Sequence, residues 1–339
     1  MTFPTPALRP ALASIGLRLH RRISRHLGRL RGLAGEAELA RLAGLSDGRV
    51  AMAALHLESG QAVGLDADTP VPMASTMKVP LAVEFLTQVH AGRIDLATMH
   101  DVGPHALRPG HGIIAARLGG QGVAFSLDAL LRLMLVESDN TATDILLARV
   151  GGPSAVTARL AALGITGMRV DRTILQLMSD HQGIDLATLP EPFDLGAWRA
   201  RERTITPAAR AVAAHRLLAD PRDSTTPAAM VRLLAAIQCG HALPAAAAER
   251  LLRLMQRCAT GPGRIPARLP PGSVVAHKTG YLPCVVTADV GVVTLGQGLG
   301  HVALAIYVTA SRASEAHRDL VIADLARAAC DHLAVAARR

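Results

Sequence analysis

An α+β fold is what the sequence predicts, with one antiparallel sheet built from both ends of the chain and a helical lobe inserted between them. Three observations carry this. A pair of strand-like segments lies between Val50 and Leu65, helical periodicity dominates from about Ser75 to Ile237, and β-rich segments from Ser273 onward are closed by a last amphipathic helix. A chain of 339 residues can bury a sizeable core and suits one large unit of two interleaved lobes.

Taken in order, Glu36 to Leu45 reads as a short helix ended by Ser46-Asp47-Gly48. Val50 to Leu57 and Gln61 to Leu65 then form a strand hairpin around Glu58-Ser59-Gly60. Apolar stripes at helical spacing follow in Leu81–Val89, Leu127–Leu135, Thr141–Val150 and Ala155–Leu163, each ended by glycine or a polar turn. Beyond Leu251–Gln256 the texture becomes β-rich: Ser273–Ala276, Val285–Val293 and Val302–Thr309, the last two separated by Gly296-Gln297-Gly298-Leu299-Gly300. That glycine run joins two strands and opens no helix, so it is a hairpin turn and not a dinucleotide loop. A helix from about Glu315 to Val335 ends the fold. The division expected is a basic leader over 1–34, disordered or helical, a sheet lobe from 35–72 and 240–337, and an all-helical lobe over 73–239 with an extended loop at about 172–223.

The net charge of +9 is concentrated at the start: Arg9, Arg18, Arg21, Arg22, Arg25, Arg29 and Arg31 all precede the first acidic residue, Glu36, and without them the balance falls to +2. The leader reads as solvated, with contact to an anionic membrane surface as the alternative. Nucleic acid is not an expected partner, since the leader has no stacking aromatics beyond Phe3. Its apolar runs are broken by Arg or His, so no standard signal peptide is legible, and nothing apolar follows Arg21-Arg22 as a twin-arginine signal requires. The cysteines, Cys239, Cys258, Cys284 and Cys330, have no metal-ligand spacing, and the histidines include no H-E-x-x-H pair. Buried free thiols are expected, with a Cys239–Cys258 pairing as the alternative, and no cofactor is implied.

The chemistry sits in three short motifs. Ser75-Thr76-Met77-Lys78 places a hydroxyl and an amine one helical turn apart on the same face, within reach of each other. An ordinary alcohol is a poor nucleophile and needs a base; a lysine serves if burial or a second cation lowers its pKa. Alone this spacing is weak. Ser138-Asp139-Asn140 at the mouth of a helix and His277-Lys278-Thr279-Gly280 at the end of an apolar strand follow in order, and the ordered trio resembles the signature of class A β-lactamases and penicillin-binding proteins.

The resemblance extends through Val71-Pro72-Met73-Ala74, Thr141-Ala142-Thr143-Asp144, Gly151-Gly152-Pro153 and Asp220 to Pro227, covering about residues 36–337. It implies a five-stranded antiparallel sheet flanked by helices beside an all-helical domain. It also implies roles. Ser75 attacks a carbonyl, Lys78 accepts its proton with a pKa lowered by Lys278, and Ser138 relays a proton to the leaving amine. Asn140 binds a substrate amide, while Lys278 and Thr279, in the K-T-G motif with Gly280, receive a substrate carboxylate together with Ser138. The backbone N–H groups of Ser75 and Tyr281 form an oxyanion hole. The implied substrate is a small β-lactam or an acyl-D-amino-acid-like molecule, the protein a monomer, and its location periplasmic or secreted.

The sequence departs from that family at one point. Where the family carries a glutamate two residues after an arginine to activate the deacylating water, this chain reads Arg172-Thr173-Ile174. Glu191, in Glu191-Pro192, is the first candidate to replace it and Glu202 the second, and Arg172 is expected to pair with Asp223 across the base of the long loop. Three functions follow: β-lactamase-type hydrolysis through an acyl-enzyme, a D-Ala-D-Ala-type peptidase or esterase, and a non-catalytic penicillin-binding or sensing protein that stays loaded.

Overall fold

The computed structural model describes residues 34–117 and 122–337. Nearly all of the basic leader lies outside the described residues. The chain runs through helix Ala34–Gly44, strands β1 (Arg49–His56), β2 (Ala62–Leu65) and the short β3 (Val71–Pro72), then enters a helical region. There the helices are Lys78–His90, Ile113–Arg117, Leu127–Val136, Asn140–Arg149, Pro153–Ala162, Ile174–Gln182, Leu195–Thr204, Pro207–Ala219, Pro227–Gln238 and Ala245–Gln256, interrupted by β4 (Met99–Val102), β5 (Val123–Ser126) and β6 (Ser224–Thr225). Strands β7 (Val274–Leu282), β8 (Val286–Thr294) and β9 (His301–Thr309) and the helix Glu315–Ala337 complete it. Five strands form one antiparallel sheet in the order β2-β1-β9-β8-β7, so the chain's two ends do share a sheet, and β7 is its edge.

Alternation along the central strands explains why both faces are covered. In β9, Val302, Leu304, Ile306 and Val308 belong to the core beneath helices Ala34–Gly44 and Glu315–Ala337, while Ala303, Ala305 and Tyr307 belong to the core on the other face. β1 divides the same way, with Val50, Met52 and Ala54 on one side and Ala51, Ala53 and Leu55 on the other. Small side chains therefore line the face against which helix Pro227–Gln238 packs, across β1, β8 and β9. This helix falls within the span read as the helical lobe, yet it is a layer of the sheet lobe. Thr226 caps it by accepting from Ala229 N at 3.1 Å, and Pro227 occupies the first turn.

Several expectations are corrected. The pair β4–β5 is a two-stranded antiparallel ribbon inside the region read as purely helical, joined across helix Ile113–Arg117; its strands, four residues each, are too short to outweigh the flanking periodicity. β7 runs to Leu282, so the H-K-T-G motif lies within the strand and not at its end. All four cysteines are free, and only Cys330 is buried. The expected long loop has helices of its own, Ile174–Gln182, Leu195–Thr204 and Pro207–Ala219. No helix among the described residues is long and apolar enough to cross a membrane.

Candidate active site

Ser75 sits in a 3-10 turn, Ala74–Met77, that feeds directly into helix Lys78–His90. The turn is entered through Ala74 at φ +46°, a left-handed conformation that an alanine holds only under constraint from its surroundings. A second such residue is Ser138, at φ +57°, between the end of helix Leu127–Val136 and the start of Asn140–Arg149. Asp139 fixes that corner: its carboxylate accepts from Ala142 N and from Ile114 N, both at 2.9 Å. The bend turns the Ser138 hydroxyl and Asn140 toward Lys78.

Lys78 and Lys278 are both completely buried. Lys78 Nζ donates to Ser138 O at 2.6 Å, Ser138 Oγ at 3.1 Å and Asn140 Oδ1 at 2.9 Å. Lys278 Nζ, arriving from β7, donates to the same Ser138 Oγ at 3.0 Å and to Thr279 O at 3.1 Å. Burial, reinforced by the Lys278 charge, holds the Lys78 pKa well below the ordinary lysine range against the opposing pull of Asp139 and Asp144. Burial also lowers Lys278, to about 8. The expected contact between Lys78 and the Ser75 hydroxyl is not made: Ser75 Oγ has no hydrogen bond among the described residues, because the lysine is occupied by the Ser138 corner. A nucleophile left unbonded beside an amine of low proton affinity is an arrangement suited to accepting a carbonyl carbon.

Around this pair the strand edge closes in. A Cβ on Gly280 would stand 2.8 Å from Met73 O and 3.0 Å from Thr76 Cγ2, so the absence of a side chain lets β7 lie against the turn that carries Ser75. Thr279 Oγ1 is within 2.5 Å of Thr260 Oγ1. Beneath, His277 Nδ1 meets the Asp289 carboxylate at 2.9 Å; burial disfavours the charged ring, but Asp289 outweighs it and raises the histidine's pKa. Asn140 Nδ2 donates to Pro109 O at 2.9 Å, which leaves its second amide hydrogen for a ligand.

Ser75 opens into a cleft of about 290 Å³ walled by helix Ile174–Gln182 on one side and Tyr281, Leu282 and Pro283 on the other. Thr173 and Gln176 form a capping box that starts this helix, and Asp144 receives the N–H groups of Ile174 at 2.6 Å and Leu175 at 3.2 Å. The insert's base is held by the expected pair, Arg172 Nε to Asp223 Oδ2 at 2.5 Å, with Asp180 and Asp220 also accepting from Arg172.

Glu191 is not brought to the cleft. It is exposed in the segment before helix Leu195–Thr204 and is absent from the cleft wall, whereas Glu202 is part of that wall. The physical reason is the helix that Asp194 caps: Trp198 turns inward, its Nε1 donating to Ser179 Oγ at 2.9 Å, and Glu202 lies one turn further on the same face. The signal that points to it is the Asp194 cap and the Trp198 to Glu202 spacing in a stretch read as loop. Lysine usage is a further signal: Lys78 and Lys278 are the chain's only lysines, every other basic side chain besides histidine being arginine. Arginine cannot give up its proton in a protein, so a position that must hold a neutral amine is confined to lysine.

Residues 35–333 match the model of the Beta-lactamase enzyme family. The chain is 27% identical over 288 residues to the imipenem-hydrolyzing beta-lactamase of Enterobacter cloacae, covering 85% of each. It is 28% identical over 290 residues to the carbapenem-hydrolyzing beta-lactamase KPC of Klebsiella oxytoca, again covering 85% of each. Among solved structures, a beta-lactamase from Chitinophaga pinensis superposes with a TM-score of 0.73 at 28% identity, over 88% of this chain and 99% of that one. The last common ancestor of Gram-negative bacteria class A beta-lactamase gives 0.70 at 30% identity, over 91% of this chain and all (100%) of that one.

Proposed function

The chain belongs to the beta-lactamase enzyme family, and on that premise we propose that it is a serine hydrolase that opens the β-lactam amide through an acyl-enzyme on Ser75. The observation that carries the reading is the Ser138 hydroxyl shared by two buried lysines at 3.1 and 3.0 Å. Both amines donate to the Ser138 oxygen, so a Lys78 that has taken the Ser75 proton is already aligned to hand one on to Ser138. In acylation the Ser75 Oγ–C bond forms and the Ser75 proton goes to Lys78; as the C–N bond breaks, Ser138 passes its proton to the ring nitrogen and regains one from Lys78, which returns to the neutral amine. Backbone N–H groups of Ser75 and Tyr281 receive the oxyanion, supported by the position of β7 at the sheet edge against the turn. Lys278 and Thr279, with Ser138, hold the substrate carboxylate, and Asn140 offers its free amide hydrogen to the acyl amide.

The second step, attack of water on the Ser75 ester, is assigned to the same Lys78 and Ser138 pair, because Ile174 has no base to offer. It is the slower step. That assignment leaves room for a second reading, a peptidase or esterase acting on acyl-D-amino-acid-like substrates, which the isoleucine at position 174 favours. The test is intact-protein mass spectrometry during turnover of a chromogenic cephalosporin, on wild type and Ser75→Ala. A Ser75-dependent adduct that decays as product appears is the expected result. An adduct that never decays identifies a binding or sensing protein, and no adduct on folded protein overturns β-lactam chemistry in favour of other acyl donors.

A further inference from the structure

The wall of the cleft opposite Tyr281 carries two hydrogen-bond acceptors that nothing among the described residues satisfies. Gln182 is 7% exposed and lines the cleft, and its Oε1 has no donor among the described residues. A buried acceptor without a donor costs roughly 1–3 kcal/mol and marks a place where something is missing. Its Nε2 is spent on His181 Nδ1 at 3.3 Å, and His181 Nε2 is spent on Pro283 O at 3.0 Å, so neither ring nitrogen turns to serve Oε1. Burial lowers the pKa of His181, which leaves the ring uncharged at neutral pH.

The second acceptor is Glu202, the only acidic side chain on the cleft wall among the described residues. Its carboxylate makes no hydrogen bond and no ion pair among the described residues. The arginine nearest in sequence on the following helix, Arg210, donates at 3.4 Å to the backbone carbonyl of Glu202 and not to the carboxylate. The other titratable groups on the lining besides Tyr281 are His111 and His181, and Ile174, Leu177 and Met178 make part of it apolar. No lysine or arginine lines the cleft among the described residues, so nothing on its wall offers Glu202 a permanent counter-charge.

We infer that this cleft selects acyl groups that carry a protonated amine, with Glu202 as counter-charge and Gln182 Oε1 as a further acceptor. The inference rests on the proposed acyl transfer at Ser75 and names the substrate class of that site. An ammonium donates to a carboxylate and to an amide oxygen alike, whereas an acyl group without a donor serves neither.

The probes are ampicillin and benzylpenicillin, which differ by one amino group on the acyl side chain. Wild type is expected to show a kcat/KM ratio favouring ampicillin by about three- to tenfold, the range of a partly exposed charge-assisted contact. The preference shrinks as salt rises, and in Glu202→Gln and Gln182→Leu the ratio falls toward one, with near-UV circular dichroism confirming the fold of each variant. Equal efficiency in wild type, or a preference that survives Glu202→Gln, overturns the inference. So does acyl-enzyme accumulating equally with both penicillins in Glu202→Gln, which would make the carboxylate a base for water and not a selector. Absence of a Ser75 adduct with either compound removes the acyl-transfer reading itself, whereas adducts formed equally with both leave that reading standing and remove only the selectivity.

Discussion

Lys78 and Lys278 reach the same oxygen from opposite sides, the Ser138 hydroxyl lying 3.1 Å from one ammonium nitrogen and 3.0 Å from the other. Two completely buried amines around one hydroxyl cannot both carry charge without cost, and the pKa of each is lowered.

The pH dependence of acylation follows from that pairing. In the proposed mechanism Lys78 must be neutral to take a proton and Lys278 charged to hold a carboxylate, so the acylation rate is expected to rise with pH as Lys78 loses its proton and to fall above about 8 as Lys278 loses its own. Because the chain has only these two lysines, NMR of protein labelled at lysine Cε gives two resonances that report both titrations directly. Ordinary lysine titration at both positions, with a flat rate profile, would sink the assignment.

Stability carries the same signature. Lys278 has a folded pKa of about 8 against 10.5 for the free side chain, so between these values the unfolded chain binds more protons and the folded state gains stability as pH rises. The gain reaches about 3 kcal/mol when complete, and Lys78 adds to it in the same direction. Urea denaturation at about pH 8 and about pH 10, on wild type and Lys278→Met, is expected to show the rise in the first and a smaller one in the second. Burial raises Cys330 to about 12 and gives an opposing trend common to both proteins, so the sign is read from their difference: a change with pH in Lys278→Met no less favourable than in wild type would contradict it.

Arg172 holds the insert shut. Its side chain and that of Asp223 are each 5% exposed, and Asp223 also accepts from the backbone N–H groups of Asp171 and Arg172. Arg172→Ala leaves a buried carboxylate without its partner, and a loss of about 3–5 kcal/mol is expected in chemical denaturation. A loss below about 1 kcal/mol, the range of a surface pair, would show that Asp180 and Asp220 were not organised by this residue.

Gly280→Ala is expected to fold and to lose activity. The added methyl would stand 2.8 Å from Met73 O, a backbone atom that cannot swing away, so β7 must retreat from the Ser75 turn. A displacement on the order of 1 Å costs up to about 10²-fold in kcat/KM. Activity within twofold of wild type would mean that the strand edge does not need this approach.

Much of this is legible in the amino-acid sequence alone. The order of strands and helices follows from periodicity, and the chemistry follows from residue types: a serine three positions before one of only two lysines, a Ser-Asp-Asn corner, a lysine in an apolar strand. Those facts determine that the chain is α+β and point to Ser75 as the proposed nucleophile. Tertiary structure decided how the pieces meet. Ser138 lies 60 residues from Lys78 and 140 from Lys278, so the sharing of one hydroxyl is a product of packing and of a left-handed backbone at Ser138 that no local pattern specifies. Which of Glu191 and Glu202 stands on the cleft wall was decided in the same way. Both are glutamates in a polar stretch, and only the inward turn of Trp198 onto Ser179 places the second on the cleft wall and leaves the first in solvent. Local sequence sets the face a residue occupies on its own helix, but the neighbour that face meets is fixed by long-range burial.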